Sequence, residues 1–159
     1  MDRRSAYSDG LHLLARRELS VAQVRARLLD REHEPDDVED AIARLLESGA
    51  LNDARVAAAY VATALKVKGR GRLRIQRELQ ALGIPNDVAA QALADAFGDV
   101  DERSLIRKAL EKKIRGGQKT IASRQDYARI FQALVRQGFS PASITLVLRA
   151  HLKGGVPDE

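Results

Sequence analysis

Residues 49–84, GALNDARVAAAYVATALKVKGRGRLRIQRELQALGI, join a helix start, the most basic segment of the chain and the centre of a repeat. Asn52 or Asp53 can cap a helix whose apolar positions pair as Val56/Ala57, Tyr60/Val61 and Ala64/Leu65, the spacing of one buried face. That helix stops at Gly69. After the Gly-Arg-Gly break, a second helix carries Ile75, Leu79 and Leu82 on one side, while Arg70, Arg74 and Arg77 fall at intervals of four and three on another. A third helix runs from Pro85 to about Phe97.

The same grammar appears on either side. Laying Val24, Ile75 and Ile130 over one another puts a Leu four residues later in each case, at Leu28, Leu79 and Leu134. A Pro then follows, at Pro35, Pro85 and Pro141, and after it an amphipathic helix marked by Val38, Val88 and Ile144. The offsets of 51 and 55 residues predict a repeated three-helix unit. The second and third copies place Gly83 and Gly138 four residues after the Leu; the first has Glu32 and His33 there, so its turn is expected to be made differently.

In the first copy, Ser5 to Glu18 reads as a helix with Leu11, Leu14 and Ala15 as its apolar side. Ser20 and Gln23 form a capping box that starts the next helix at Val21, burying Val24 and Leu28. The third helix begins at Glu34-Pro35. Its acids Asp36, Asp37, Glu39 and Asp40 suit the positive end of the helix dipole and require no catalytic explanation. Val38, Ala41, Ile42 and Leu45 form its buried stripe, and Gly49 ends it.

In the third copy, Leu105, Ile106, Ala109, Leu110 and Ile114 mark the first helix, which Gly116-Gly117 ends; the polar stretch to Ser123 is expected to be a mobile loop. Tyr127, Ile130, Phe131 and Leu134 belong to the second helix. Ser140 caps the last, with Pro141 at its first position.

Composition agrees with packed helices. The chain is 45% hydrophobic and 31% charged, with 4% aromatic residues and no Trp, so the core must be built from Leu, Ala, Val and Ile. The expected fold is all-α: three tandem three-helix repeats, at 1–51, 52–99 and 100–153, stacked as an elongated, curved array, with a disordered tail at 154–159. The absence of Cys excludes disulfides, thiolate metal sites and a cysteine nucleophile, and fits a reducing cytoplasm. The longest small-apolar run, Val56 to Leu65, is half what a bilayer requires, and the N-terminus lacks the apolar stretch of a signal peptide, so a soluble, unprocessed protein is expected.

Charge is segregated. Residues 1–65 carry 9 basic and 12 acidic side chains, 66–77 carry 6 and 0, 78–102 carry 0 and 6, and 103–153 carry 12 and 2. The acid-free run comprises Lys66, Lys68, Arg70, Arg72, Arg74 and Arg77, and a second cluster follows at Lys108, Lys112, Lys113 and Arg115. These ten are the candidate partner- or DNA-contacting residues, since cations that displace counterions give salt-dependent, sequence-tolerant binding and the neighbouring glycines allow a close backbone approach. A solvated helix start is the ordinary alternative. Base stacking is a weak expectation, because Tyr60, Tyr127 and most Phe residues sit on apolar stripes.

Catalytic motifs are scarce. His12, His33 and His151 fall in no metal-ligand spacing, and neither a metal nor a cofactor is expected. Gly116-Gly117-Gln118-Lys119-Thr120 imitates the end of a phosphate loop, but Lys113 and Gln118 occupy its required Gly positions and a helix precedes it. Gly69-Arg70-Gly71 is a lone GxG without a strand before it.

Three stretches resemble the RecX-type regulatory proteins, bacterial modulators of the RecA recombinase. They are Leu14-Ala15-Arg16-Arg17-Glu18-Leu19-Ser20 with Val24 to Leu28; Leu51 to Arg55 with Ala59-Tyr60-Val61 and Gly69 to Gly83; and Leu134 to Pro141. Glu32, and Val56 and Ala58 in place of an aromatic and an acid, depart from the pattern. The resemblance implies an all-helical, three-repeat protein, without catalysis of its own, that binds RecA and its nucleoprotein filament and restrains recombinase, ATPase and co-protease activities in DNA repair and the SOS response. A cytoplasmic monomer is expected, with single-stranded DNA as a further contact and no membrane partner. The alternative from charge alone is a stand-alone, sequence-tolerant DNA-binding protein.

Overall fold

The computed structural model describes residues 3–115 and 121–154. The phosphate-loop imitation at 116–120, most of the expected mobile loop and residues 155–159 of the expected tail lie outside them. Among the described residues there are nine α-helices and no strand: α1 Ala6–Arg16, α2 Val21–Asp30, α3 Pro35–Glu47, α4 Asp53–Lys66, α5 Arg72–Ala81, α6 Asn86–Phe97, α7 Glu102–Arg115, α8 Arg124–Gln137 and α9 Pro141–Gly154. None of the described helices is long and apolar enough to cross a membrane. The chain forms two compact units. Unit 1 holds the described residues up to Tyr60 together with Glu78–Ala92, and unit 2 holds Val61–Arg77 and the described residues from Leu93 onward.

In unit 1, α1, α2 and α3 pack on one another. The α3 stripe falls where its 3.6-residue spacing places it: Val38, Ala41, Ile42 and Leu45 are buried against Leu19, Val24, Leu28 and Leu51. The capping box that starts α2 is formed, the Ser20 hydroxyl accepting from the Gln23 amide (3.1 Å) while Gln23 Oε1 accepts from the Ser20 amide (2.9 Å).

The buried face of α1 differs from the expected one. Of the expected three, Leu14 packs partly buried against the core, but Leu11 is 40% exposed and Ala15 is exposed, whereas Ala6, Asp9, Gly10 and Leu13 are buried. Two of those four are invisible to an apolar count. Gly10 is there for space, because a Cβ on it would stand 2.8 Å from Leu45 Cδ1. Asp9 is there for a pair: its carboxylate meets His33 Nε2 at 2.7 Å and Arg31 at 3.4 Å.

The His33 hydrogen bond, with Arg31 assisting, holds the Asp9 carboxyl below its ordinary range. The contribution of the pair is therefore complete above the unfolded carboxyl value and is lost as pH falls below about 4, through the lower folded value. Asp9→Ala is expected to cost about 2 kcal/mol at neutral pH, since it leaves a buried imidazole unpaired. Urea melts at neutral and acid pH check this; the wild-type advantage should shrink with acid.

The turn after α2 corrects a second expectation. His33 N donates to Leu28 O (3.3 Å), as Ile84 N donates to Leu79 O (3.1 Å) and Phe139 N to Leu134 O (3.3 Å). The first turn is thus built like the other two, with Glu32 at φ 65 where Gly83 and Gly138 stand. What tolerates a side chain in that conformation is outside help: the Arg3 guanidinium donates to the carbonyls of Arg31 (2.7 Å) and Glu32 (2.6 Å). Glu32→Gly should relieve the strain, raising unfolding free energy by roughly 0.5–1 kcal/mol in a denaturant titration.

A joint links α2 to the turn at Gly83. The Ser20 hydroxyl donates to Leu82 O, and a Cβ on Gly83 would lie 2.3 Å from Ala22 Cβ. Asn52 rather than Asp53 caps α4, accepting from Arg55 N (3.0 Å). Asp53 instead accepts from Val21 N (2.9 Å) at the start of α2.

In unit 2, α7, α8 and α9 pack around Ile106, Leu110, Ile130, Leu134, Phe139, Ile144 and Leu148. Glu102 braces the start of α9: its carboxylate accepts from the amide of Ser140 (2.9 Å) and from the hydroxyls of Ser140 (3.0 Å) and Ser143 (2.8 Å). The hydroxyl expected to cap α9 thus donates across to α7. A joint like that of unit 1 recurs 51 and 55 positions further on, where Gly71 N donates to Gln137 O (2.8 Å) and Leu73 N to Gly138 O (3.1 Å).

Candidate anionic-partner interface

The end of α4 and the loop after it set one wall of the site. Lys68 N returns to Thr63 O (3.2 Å) and Arg70 N to Ala64 O (2.9 Å), a helix stop that Gly69 completes at φ 63. Gln137 holds the loop from α8, its side-chain amide donating to Gly69 O (2.7 Å) while its carbonyl takes the Gly71 amide. Gly71 and Gly138 meet so closely that a Cβ on Gly71 would stand 2.5 Å from the Gly138 carbonyl. The expectation that these glycines free the backbone for a phosphate is thereby corrected at Gly71, whose amide and open face are used inside the chain.

That joint brings the two basic clusters together. A cleft of about 1370 Å³, wholly within unit 2, is lined by Lys66, Lys68 and Arg70 from the loop side, Arg74 from α5, and Lys108, Lys112, Lys113 and Arg115 from α7. Eight of the ten candidate residues therefore share one surface, although about forty positions separate the clusters. Arg72 and Arg77 are exposed on α5 and do not line it.

Charge counting missed four contributors. Arg136 of α8 adds a cation, Gln137 shapes the wall, and Val67 and Val100 put aliphatic surface in the cleft. Arg136 and Gln137 were visible in the stretch Arg136-Gln137-Gly138-Phe139-Ser140, but only as a turn. The single acid among the lining residues, Glu111, pairs with Arg115 at 3.2 Å on open surface, where such a pair stabilises by about 0–1 kcal/mol and leaves the cleft cationic. Focused positive charge of this kind attracts anions and speeds their encounter. None of the lining residues is aromatic.

A second group of titratable residues is structural. His33 and Asp9 face each other beneath α1, and His12 contacts its own helix at Ser8 O (2.7 Å). Among the described residues no group of three or more His, Asp or Glu could hold a metal ion.

Fold and cleft define a small helical protein with a cationic surface. Comparison with known proteins gives the family. Residues 6–45 match the model of the first three-helix domain of RecX, and residues 52–93 that of the second. The regulatory protein RecX of Xanthomonas axonopodis pv. citri is 35% identical over 145 residues, covering 90% of this chain and 85% of that one. That of Geobacillus kaustophilus is 33% identical over 146 residues, 91% of this chain but 53% of its own length, so the chain spans about half of that relative. The crystal structure of RecX from Lactobacillus salivarius superposes with a TM-score of 0.76 at 22% identity, covering 91% of this chain and 93% of that one. The chain belongs to the RecX family of regulatory proteins.

Proposed function

We propose that the chain regulates by binding the RecA recombinase and its nucleoprotein filament, restraining strand exchange, ATPase and co-protease activity in the cytoplasm without catalysis of its own. The observation that carries this reading is the gathering of cations from α4, α5, α7 and α8 on one cleft, in a chain whose relatives are named regulatory proteins. A filament of protein on single-stranded DNA carries phosphate in long register, and acidic protein surface beside it would be the kind of target such a cleft attracts.

We also read the chain as three copies of one three-helix unit. The support is the turn that recurs at Glu32, Gly83 and Gly138, and the joint that recurs between Ser20 and Leu82 and between Gly71 and Gln137. An array of linked units suits a repetitive partner.

The experiment is RecA-driven strand exchange and co-protease cleavage with the chain added at stoichiometric amounts. Both activities should fall, and unchanged activity would contradict the proposal. A stand-alone nucleic-acid-binding role predicts instead that the isolated chain binds DNA with steep salt dependence whether or not RecA is present.

A further inference from the structure

We propose that the cleft of unit 2 receives an acidic protein segment bearing aliphatic side chains, in preference to a nucleic-acid strand; this rests on the reading of the cleft as the partner contact and specifies what it contacts. The argument begins at Val67, which stands between Lys66 and Lys68 and is 74% exposed. Val100, 38% exposed, lines the same cleft, and half-buried Leu65 and Leu105 continue the aliphatic surface. Cations and aliphatic groups thus line the same cleft, and at Lys66-Val67-Lys68 they alternate in the chain. A phosphodiester strand satisfies the cations but brings nothing that covers the valines.

Bases, for their part, bind single-strand grooves chiefly by stacking on aromatic rings. The cleft provides none. Tyr127 and Phe131 of the same unit stack on each other, with ring centroids 6.2 Å apart, and pack against the core. A peptide in which carboxylates alternate with aliphatic side chains matches both kinds of lining, the carboxylates meeting Lys66, Lys68, Lys112 and Arg136 and the apolar groups covering Val67 and Val100. Covering Val67, the more exposed of the two, changes affinity by about tenfold.

The test measures anisotropy of three labelled probes of equal length on the intact chain at about 0.15 M salt: an alternating Glu–Val peptide, an alternating Glu–Ser peptide and oligothymidylate. The Glu–Val peptide should bind about tenfold more tightly than either other probe. Val67→Ser, at a position too exposed to endanger folding, should remove most of that advantage and leave the Glu–Ser peptide unaffected. Lys112→Glu with Arg136→Glu should weaken both peptides. Equal binding of the two peptides, or oligothymidylate bound as tightly as the Glu–Val peptide, would overturn the preference while keeping the cleft as an anion site. If the charge reversals changed none of the three, the reading of the cleft as the partner contact would fail with it.

Discussion

Gly138→Ala is expected to lower the stability of unit 2 by about 3 kcal/mol or more, and to open the cleft with it. Two costs coincide at this position. The backbone stands at φ 111, where an L side chain is strained. The new Cβ would also lie 2.5 Å from Arg74 Cβ and 2.7 Å from Gly71 O. Neither atom is the far end of a flexible side chain, so relief requires the start of α5 to lift away. That breaks the bonds from Gly71 N and Leu73 N, and with them the wall that carries Lys66, Lys68 and Arg70. Gly49→Ala is the control, because Gly49 has φ 78 but nothing within 4 Å of its added Cβ. It should cost only about 1 kcal/mol. Urea titrations compare the two losses, and hydrogen exchange at Gly71 and Leu73 reports the joint itself; equal losses would show that the close approach carries no energy.

Reversing Lys108, Lys112 and Arg136 to Glu is expected to weaken binding to RecA filaments by at least about a hundredfold while leaving the helical fold intact. All three are exposed, so the effect is on the field of the cleft and not on packing. Reversing Arg72 and Arg77 provides a matched comparison. These two were equal candidates by charge, but they lie outside the cleft, and their reversal should cost a few-fold at most, through the long-range field that salt screens. Filament co-sedimentation at one salt concentration separates the two sets.

The sequence was most legible where a helix carried its own punctuation. Ser20 and Gln23 announced the start of α2, Pro35 that of α3, and the stripe from Val38 to Leu45 needed only its period. It was least legible where a residue works by being small or by finding a distant partner. Gly10 gives Leu45 its space, Asp9 needs His33 from another element, and neither belongs to the stripe of Leu11, Leu14 and Ala15 that an apolar count selects. Glu32 misled in the opposite way, because the residue that makes its conformation tolerable, Arg3, is 29 positions away.

The basic clusters divide along the same line. Their charge could be counted in the sequence, but their convergence depends on Gly71 meeting Gly138 and on Gln137 bonding to Gly69. No local pattern announces a contact between residues so far apart. Arg136 was overlooked for the same reason, since its importance comes from lining one cleft with Lys66, Lys68, Arg70 and Arg74 and not from its own neighbours.

We propose that this cleft is where the chain meets RecA. Strand exchange by RecA on single-stranded DNA, with the wild-type chain or the Lys108, Lys112 and Arg136 reversal added at equal helical content, tests it most directly. The wild type should suppress exchange and the reversal should leave it running; suppression of equal strength by both would contradict the account.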